Sequence, residues 1–260
     1  MPQIGLGTYR ITSYKQILNS IKTAFSYGIR LIDTAEIYGN EAEIGKAIKD
    51  LNLNRKNLFI TTKIWNSQQG YDNTLRSFER SLKNLKTDYI DLYLIHWPVA
   101  DKFTKTWKAL ENLYEKGLAK NIGVSNFNIH QLEKLFVKAN IVPVVNQIEL
   151  HPYLQQNKTV EFCKNNDIRI EAWSPIAKGN IISDRTLKKI GDKYGKTAIQ
   201  IALRWELEKG YITIPKSSNP SHIAELYNIF DFQLEQEDIK KIDHLDKNFR
   251  LGPAPDNFNF

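Results

Sequence analysis

Asp33, Tyr38, Lys63 and His96 are four polar side chains of four different types. Each stands where an apolar stretch runs out: Asp33 and then Tyr38 after LID, Lys63 after LFITT, His96 after LYLI. A phenol ordinarily titrates near pH ~10, too high for easy proton release, but an adjacent ammonium and carboxylate can tune it into a general acid. Lys63 supplies the ammonium, Asp33 can hold it in a buried ion pair, and His96 can orient a substrate oxygen through a ring N–H. Together they suit protonation of a carbonyl oxygen while a hydride attacks its carbon. Singly, each has a plainer role: Asp33 as a helix cap, Lys63 in an ion pair, Tyr38 in packing, His96 as a satisfied polar group. The set at successive strand ends favours chemistry over those roles.

Such convergence requires parallel strands with their ends at one rim. Short apolar runs of the kind that buried parallel strands need recur eight times: IGLG, IRLID, LFITT, DLYLIH, NIGVS, VVNQIE, IRIEAWS and YITIP. Helical periods separate them, from YKQILNSIKTAFSYG to SHIAELYNIF, with Gly28 and Gly117 closing two helices before the next strand. The order predicts a closed (β/α)8 TIM barrel, with residues 1–260 as a single domain. An open doubly wound sheet would announce itself by a Gly-rich loop after the first strand, and GLGT is too brief for that. Two further helical segments, TAIQIALRWELEKG and LEQEDIKKIDHLDK, belong on the outside of the barrel. The aromatic tail predicts docking over the barrel mouth through Phe258 and Phe260.

Composition excludes several classes. The 260 residues are 42% hydrophobic and 25% charged, as in an ordinary globule, with no apolar run long enough for a membrane span. No secretory leader precedes the first strand, so a cytoplasmic location is expected. A net charge of +7 favours anionic partners, but the lysines are scattered, which argues for a solvated surface and against nucleic acid. The single cysteine, Cys163, falls in a helical period and reads as a buried structural thiol. His96, His130, His151, His222 and His244 form no HExxH or paired spacing, and no GxSxG is present, so neither a metal site nor a serine hydrolase is expected. Glu149 and His151 share a strand end without completing a metal shell.

DTAEIYGNE, the KIWN around Lys63, LYLIHWP, GVSNF, NQIELHP and IPKS, in this order, resemble the aldo-keto reductases across essentially the whole chain. RLGPAPDNF and AWSPIAKG look most like the bacterial branch of 2,5-diketo-D-gluconate reductases. The resemblance implies NADPH-dependent reduction of small aldehydes, methylglyoxal, α-keto esters or diketo sugars, with NADH as the alternative cofactor and no metal. It makes Asp33, Tyr38, Lys63 and His96 the catalytic tetrad, with Tyr38 the proton donor. It assigns the nicotinamide carboxamide to Ser125, Asn126 and Gln147 and the stacking face to Trp173, with Gly7, Thr8, Asp33, Ser174 and Ile176 also along the cofactor. Tyr9, Trp65 and Trp97 join His96 around the substrate.

Lys216 and Ser217 match the segment that grips the adenosine 2′-phosphate or ribose, and Glu225 is retained there. The chain departs from the family in having His222 where Arg is common and Leu226 where Asn is usual, which weakens the expected grip on NADPH. Only four residues precede GLGT, so the family's usual bottom-capping N-terminal hairpin is not expected here. A monomer is expected from the branch. Two rivals stand beside this reading: a nucleotide-binding barrel relative without catalysis, and a barrel aldolase or isomerase in which Lys63 forms a Schiff base.

Overall fold

The computed structural model describes residues 1–257, so Phe258 and Phe260 lie outside the described residues. Eight strands form one parallel sheet in sequential order: β1 (Gly5–Gly7), β2 (Leu31–Asp33), β3 (Phe59–Ile64), β4 (Leu92–Ile95), β5 (Ile122–Ser125), β6 (Val145–Glu149), β7 (Arg169–Trp173) and β8 (Ile212–Thr213). Between the strands run α1 (Tyr14–Ser26), α2 (Glu41–Asp50), α3 (Tyr71–Leu85), α4 (Phe103–Glu115), α5 (Ile129–Phe136) and α6 (Asn157–Asn165). Both α7 (Arg185–Tyr194) and α8 (Ala198–Glu208) precede β8, and α9 (Pro220–Tyr227) and α10 (Gln236–Asp243) follow it. This is the (β/α)8 order that the alternating pattern predicts, with the two extra helices on the outside.

The last strand meets the first through little contact. Ile4 bridges Thr213, Thr213 N donates to Gln3 O at 2.9 Å, and Gly7 N donates to Pro215 O at 3.0 Å. Gly7 is required there, because a β-carbon would lie 2.9 Å from the Ile214 carbonyl.

Side chains alternate between the two faces of each strand. The outward face packs against the helices in one continuous core that includes Ile32, Ile60, Tyr93, Ile148 and Ala172. Inside the barrel, Leu31, Ile212 and Ile214, with Phe59, and Leu92, Leu94 and Val145 form separate small clusters. They fill the floor with hydrocarbon, as the interior of a packed barrel requires. Alternation then sends the next inward residues, Asp33, Lys63, Gln147 and Glu171, into the same interior at the end where the strands finish. Trp107 and Trp205 are buried in the outer core, and Cys163 is buried there too, its thiol pushed up to about 11 by burial.

Candidate active site

Lys63 ends up with no solvent exposure, an arrangement that needs compensation for its charge. Its Nζ donates to both Asp33 oxygens, at 2.7 and 2.8 Å, and to the Thr34 carbonyl at 2.8 Å. The Nζ also lies 5.2 Å from the centre of the Tyr38 ring. Tyr38 sits in a short 3-10 turn, Glu36–Tyr38, after β2. Glu36 pins that turn: its carboxylate accepts from Ser77 Oγ at 2.8 Å, from Trp65 N at 3.2 Å and from Arg80. Sequence reading missed Glu36, since its partners are far away in the chain. His96 faces Tyr38 edge-on, with ring centres 5.8 Å apart, and stacks at 6.5 Å against Trp97.

Burial pushes the Tyr38 phenol up to about 12, and the opposing pull of Lys63 does not overcome it, while Asp33 adds to the rise. The expected tuning to an easier acid is therefore corrected: Tyr38 holds its proton firmly in the free site. Burial works against the Lys63 charge, but Asp33 and Tyr38 outweigh it and leave the ammonium's pKa raised. A protonated lysine whose hydrogens point at Asp33 and Thr34 is a poor nucleophile, which argues against the Schiff-base rival. Burial, then Lys63, hold His96 well below its ordinary pKa, so the ring is neutral. Its buried Nδ1 has no hydrogen-bond partner.

A second chain of hydrogen bonds leads away from His96. Asn126, in a left-handed conformation at φ 63° just after β5, donates to the His96 carbonyl and to Ser125 Oγ, both at 3.0 Å. It accepts from Trp173 Nε1 at 2.8 Å, fixing the half-buried indole. Ser125 Oγ in turn donates to the Gln147 carbonyl at 2.9 Å. Gln147 Nε2 donates to Asp33 Oδ2 and to Glu171 Oε2, each at 2.8 Å. Thus Ser125, Asn126, Gln147 and Trp173 are brought into one network with Asp33. Thr8 joins the rim through Oγ1 to the Asp33 carbonyl at 2.8 Å. Tyr9 is 53% exposed and lies 5.0 Å from Tyr38, so it stands at the mouth. Trp65 packs edge-on to His96 at 5.2 Å, whereas Trp97 is only 6% exposed and contributes a backing wall more than open surface.

A cavity of about 630 Å³ opens between α7, α8 and α9. Ile176, Lys216, Ser217, His222 and Glu225 all line it, as does Leu226. Lys188, Lys196 and Thr197 line it as well, and these three were not legible in the sequence because no motif marks them. Thr197 Oγ1 donates to Glu225 Oε1 at 2.8 Å, while Lys196 is held by Asp231 at 2.7 Å. Asp192 and Glu225 stand among the three lysines, so the lining is mixed with a cationic excess, and the cavity, joined through Ile176 to the Trp173 segment, is roomy enough for a long anionic nucleotide with an aromatic head.

The Glu149–His151 pair has another use. Glu149 Oε1 meets His151 Nε2 at 3.2 Å and accepts from Leu251 N at 2.7 Å, while Oε2 accepts from Gly252 N at 2.9 Å. Those donors offset burial and leave the Glu149 carboxyl below its usual range. The tail is thereby strapped to the end of β6, and Asp256 fastens it again to Asn128 and Gln131, both at 2.9 Å. Among the described residues, no cluster of His, Cys, Asp and Glu is arranged to hold a metal, and no helix is long and apolar enough to cross a membrane.

The model of the "Aldo/keto reductase family" matches residues 3–247. Glyoxal reductase of Bacillus subtilis is 48% identical over 260 residues, covering 100% of this chain and 94% of that protein. The crystal structure of MGS-M4, an aldo-keto reductase enzyme from a Medee basin deep-sea metagenome library, superposes with a TM-score of 0.97 at 46% identity, covering 100% of this chain and 97% of that one. A mutant of Gox0644 solved in complex with NADPH gives a TM-score of 0.94 at 43% identity, over 100% and 95% of the two chains.

Proposed function

Since this chain belongs to the aldo/keto reductase family, we propose that it reduces small carbonyl compounds with NADPH, with short α-dicarbonyls such as glyoxal and methylglyoxal as its substrate class. The observation that carries the reading is the buried Lys63–Asp33 pair beside Tyr38, joined through Gln147, Ser125, Asn126 and the His96 carbonyl to Trp173. A non-enzymatic barrel has no use for a desolvated ammonium next to a phenol.

Bound NADPH supplies the hydride. The protein's part is to hold the carbonyl oxygen between the Tyr38 hydroxyl and the neutral His96 ring, which meet edge-on with centres 5.8 Å apart. As negative charge grows on that oxygen, Tyr38 gives up its proton, and the fixed Lys63 charge stabilises the phenolate left behind. The Trp173 face, held by Asn126, receives the nicotinamide, and Ser125, Asn126 and Gln147 offer polar groups to its carboxamide. Gly7, Thr8, Ser174 and Ile176 continue the groove, and Lys216, Ser217, His222 and Glu225 receive the adenosine end with its phosphate. Tyr9, Trp65 and Trp97 form an aromatic surround for a small substrate.

Diketo sugars are the second reading. They rest on the likeness of RLGPAPDNF and AWSPIAKG to the 2,5-diketo-D-gluconate branch, whereas the Bacillus subtilis relative is a glyoxal reductase. We take residues 1–260 as one catalytic unit, active as a monomer in the cytoplasm. The test is loss of the reduced-nicotinamide absorbance when the purified protein meets NADPH or NADH with a panel of aldehydes, dicarbonyls, keto esters and diketo sugars. Turnover of dicarbonyls with NADPH, abolished in Tyr38→Phe, supports the reading. Nucleotide binding with no turnover of any carbonyl overturns it.

A further inference from the structure

Glu171 takes no part in the chemistry described so far, yet it is a carboxyl with no solvent exposure inside the barrel. Strand alternation places it there: its neighbours Ile170 and Ala172 belong to the outer core, so Glu171 points inward. Its Oε2 accepts one hydrogen of Gln147 Nε2 at 2.8 Å, its Oε1 has no partner, and the second Nε2 hydrogen goes to Asp33 Oδ2 at 2.8 Å. Two carboxyl groups therefore take both amide hydrogens of Gln147. Its Oε1 is the atom left to accept from a carboxamide N–H.

We propose that Glu171 is a positioning residue for the nicotinamide end of the cofactor, and that its proton sets how strongly the site prefers the oxidised, positively charged ring over the reduced, neutral one. This rests on the nicotinamide-binding reading above. The interior charges are few: Lys63 and Asp33 cancel, Arg169 sits at the exposed start of β7, and His96 and Tyr38 are neutral. With Glu171 protonated, the set is neutral, and with Glu171 ionised, it carries one net negative charge in a poorly screened interior. Burial, then Asp33, push Glu171 up to about 8, so both states fall within an accessible pH range. A negative charge favours a cationic ring and leaves a neutral ring nearly indifferent.

The experiment measures the dissociation constants of NADP+ and NADPH by quenching of tryptophan fluorescence, in the wild type and in Glu171→Gln, from about pH 6 to about pH 10. The adenosine phosphate and the groups around it are common to both nucleotides and cancel in the ratio. In the wild type, affinity for NADP+ relative to NADPH rises with pH by about tenfold. In Glu171→Gln, the ratio is flat. A flat wild-type ratio, or a rise that persists in Glu171→Gln, overturns the proposal. Failure to bind either nucleotide at any pH overturns the nicotinamide reading itself. Should Glu171→Gln not fold, infrared spectra of Glu206→Gln decide, because that change removes the other buried carboxyl held protonated. A protonated-carboxyl band that disappears as pH rises supports the proposal, and its absence at neutral pH overturns it.

Discussion

Gly252 lies against the indole edge of Trp173, so closely that a β-carbon there would stand 2.3 Å from Cη2. The strapped tail and the ring share one boundary, with the Glu149 carboxylate 3.1 Å from the same point. Gly252→Ala must displace the indole or loosen the tail, at about 1–3 kcal/mol in stability. The expected result is weaker NADPH binding by fluorescence titration and a lower Tm. Unchanged affinity would mean that the indole position does not matter to the nucleotide.

Tyr38→Phe keeps the ring in place against Tyr9 and His96 and removes the only hydroxyl beside Lys63 proposed to donate. Turnover falls by roughly 10²–10⁴-fold with little change in NADPH affinity. Because burial holds the phenol near 12, reductive turnover in the wild type shows no loss from Tyr38 ionisation below about pH 10. Stopped-flow traces of single turnovers across pH check both points.

His222→Arg restores a forked, permanently charged donor to the cavity that Lys216 and Ser217 also line. NADPH affinity rises by about ten- to hundredfold, the worth of one charge-assisted hydrogen bond, while NADH affinity stays put. Calorimetric titration with both nucleotides distinguishes this from a general effect on the fold.

Glu206 is buried on α8 with neither carboxyl oxygen hydrogen-bonded, and burial raises its pKa well above the usual value. Thr213 is near enough to oppose that rise, though its own hydroxyl lies outside hydrogen-bond geometry. Glu206→Met removes an unsatisfied polar group of similar volume, stabilising the fold by about 1–3 kcal/mol. As pH climbs through about 4.3, the unfolded chain releases this proton and the folded chain keeps it, so wild-type stability falls. The advantage of the Met variant therefore grows with pH. Urea unfolding at about pH 4 and about pH 8 shows it as a widening gap.

The barrel was legible because each parallel strand is buried on both faces and appears as an apolar run. The grouping of Asp33, Lys63 and His96 at one rim was legible because they interrupt or follow such runs. Glu171 was not: inside IRIEAWS it is one polar letter among apolar ones, and only its approach to Gln147 gives it meaning. Tyr38 illustrates a different limit. Sequence supplies the ammonium and carboxylate near the phenol, but the dominant influence on its acidity is burial, a property of the assembled rim. Lys188, Lys196 and Thr197 reach the cavity between α7, α8 and α9 through helix packing, which no local spacing encodes.

The joint between β8 and β1 has only a few contacts, while β6 and β7 are paired along five residues. Local opening begins where the backbone ladder is shortest, so amide hydrogens at Gly7 and Thr213 exchange before those of β6. Lys216 and Ser217 follow that joint directly. A nucleotide gripped there, as proposed, would act as a latch on this short closure, and coenzyme concentration would then govern resistance to proteolysis far from any reacting atom.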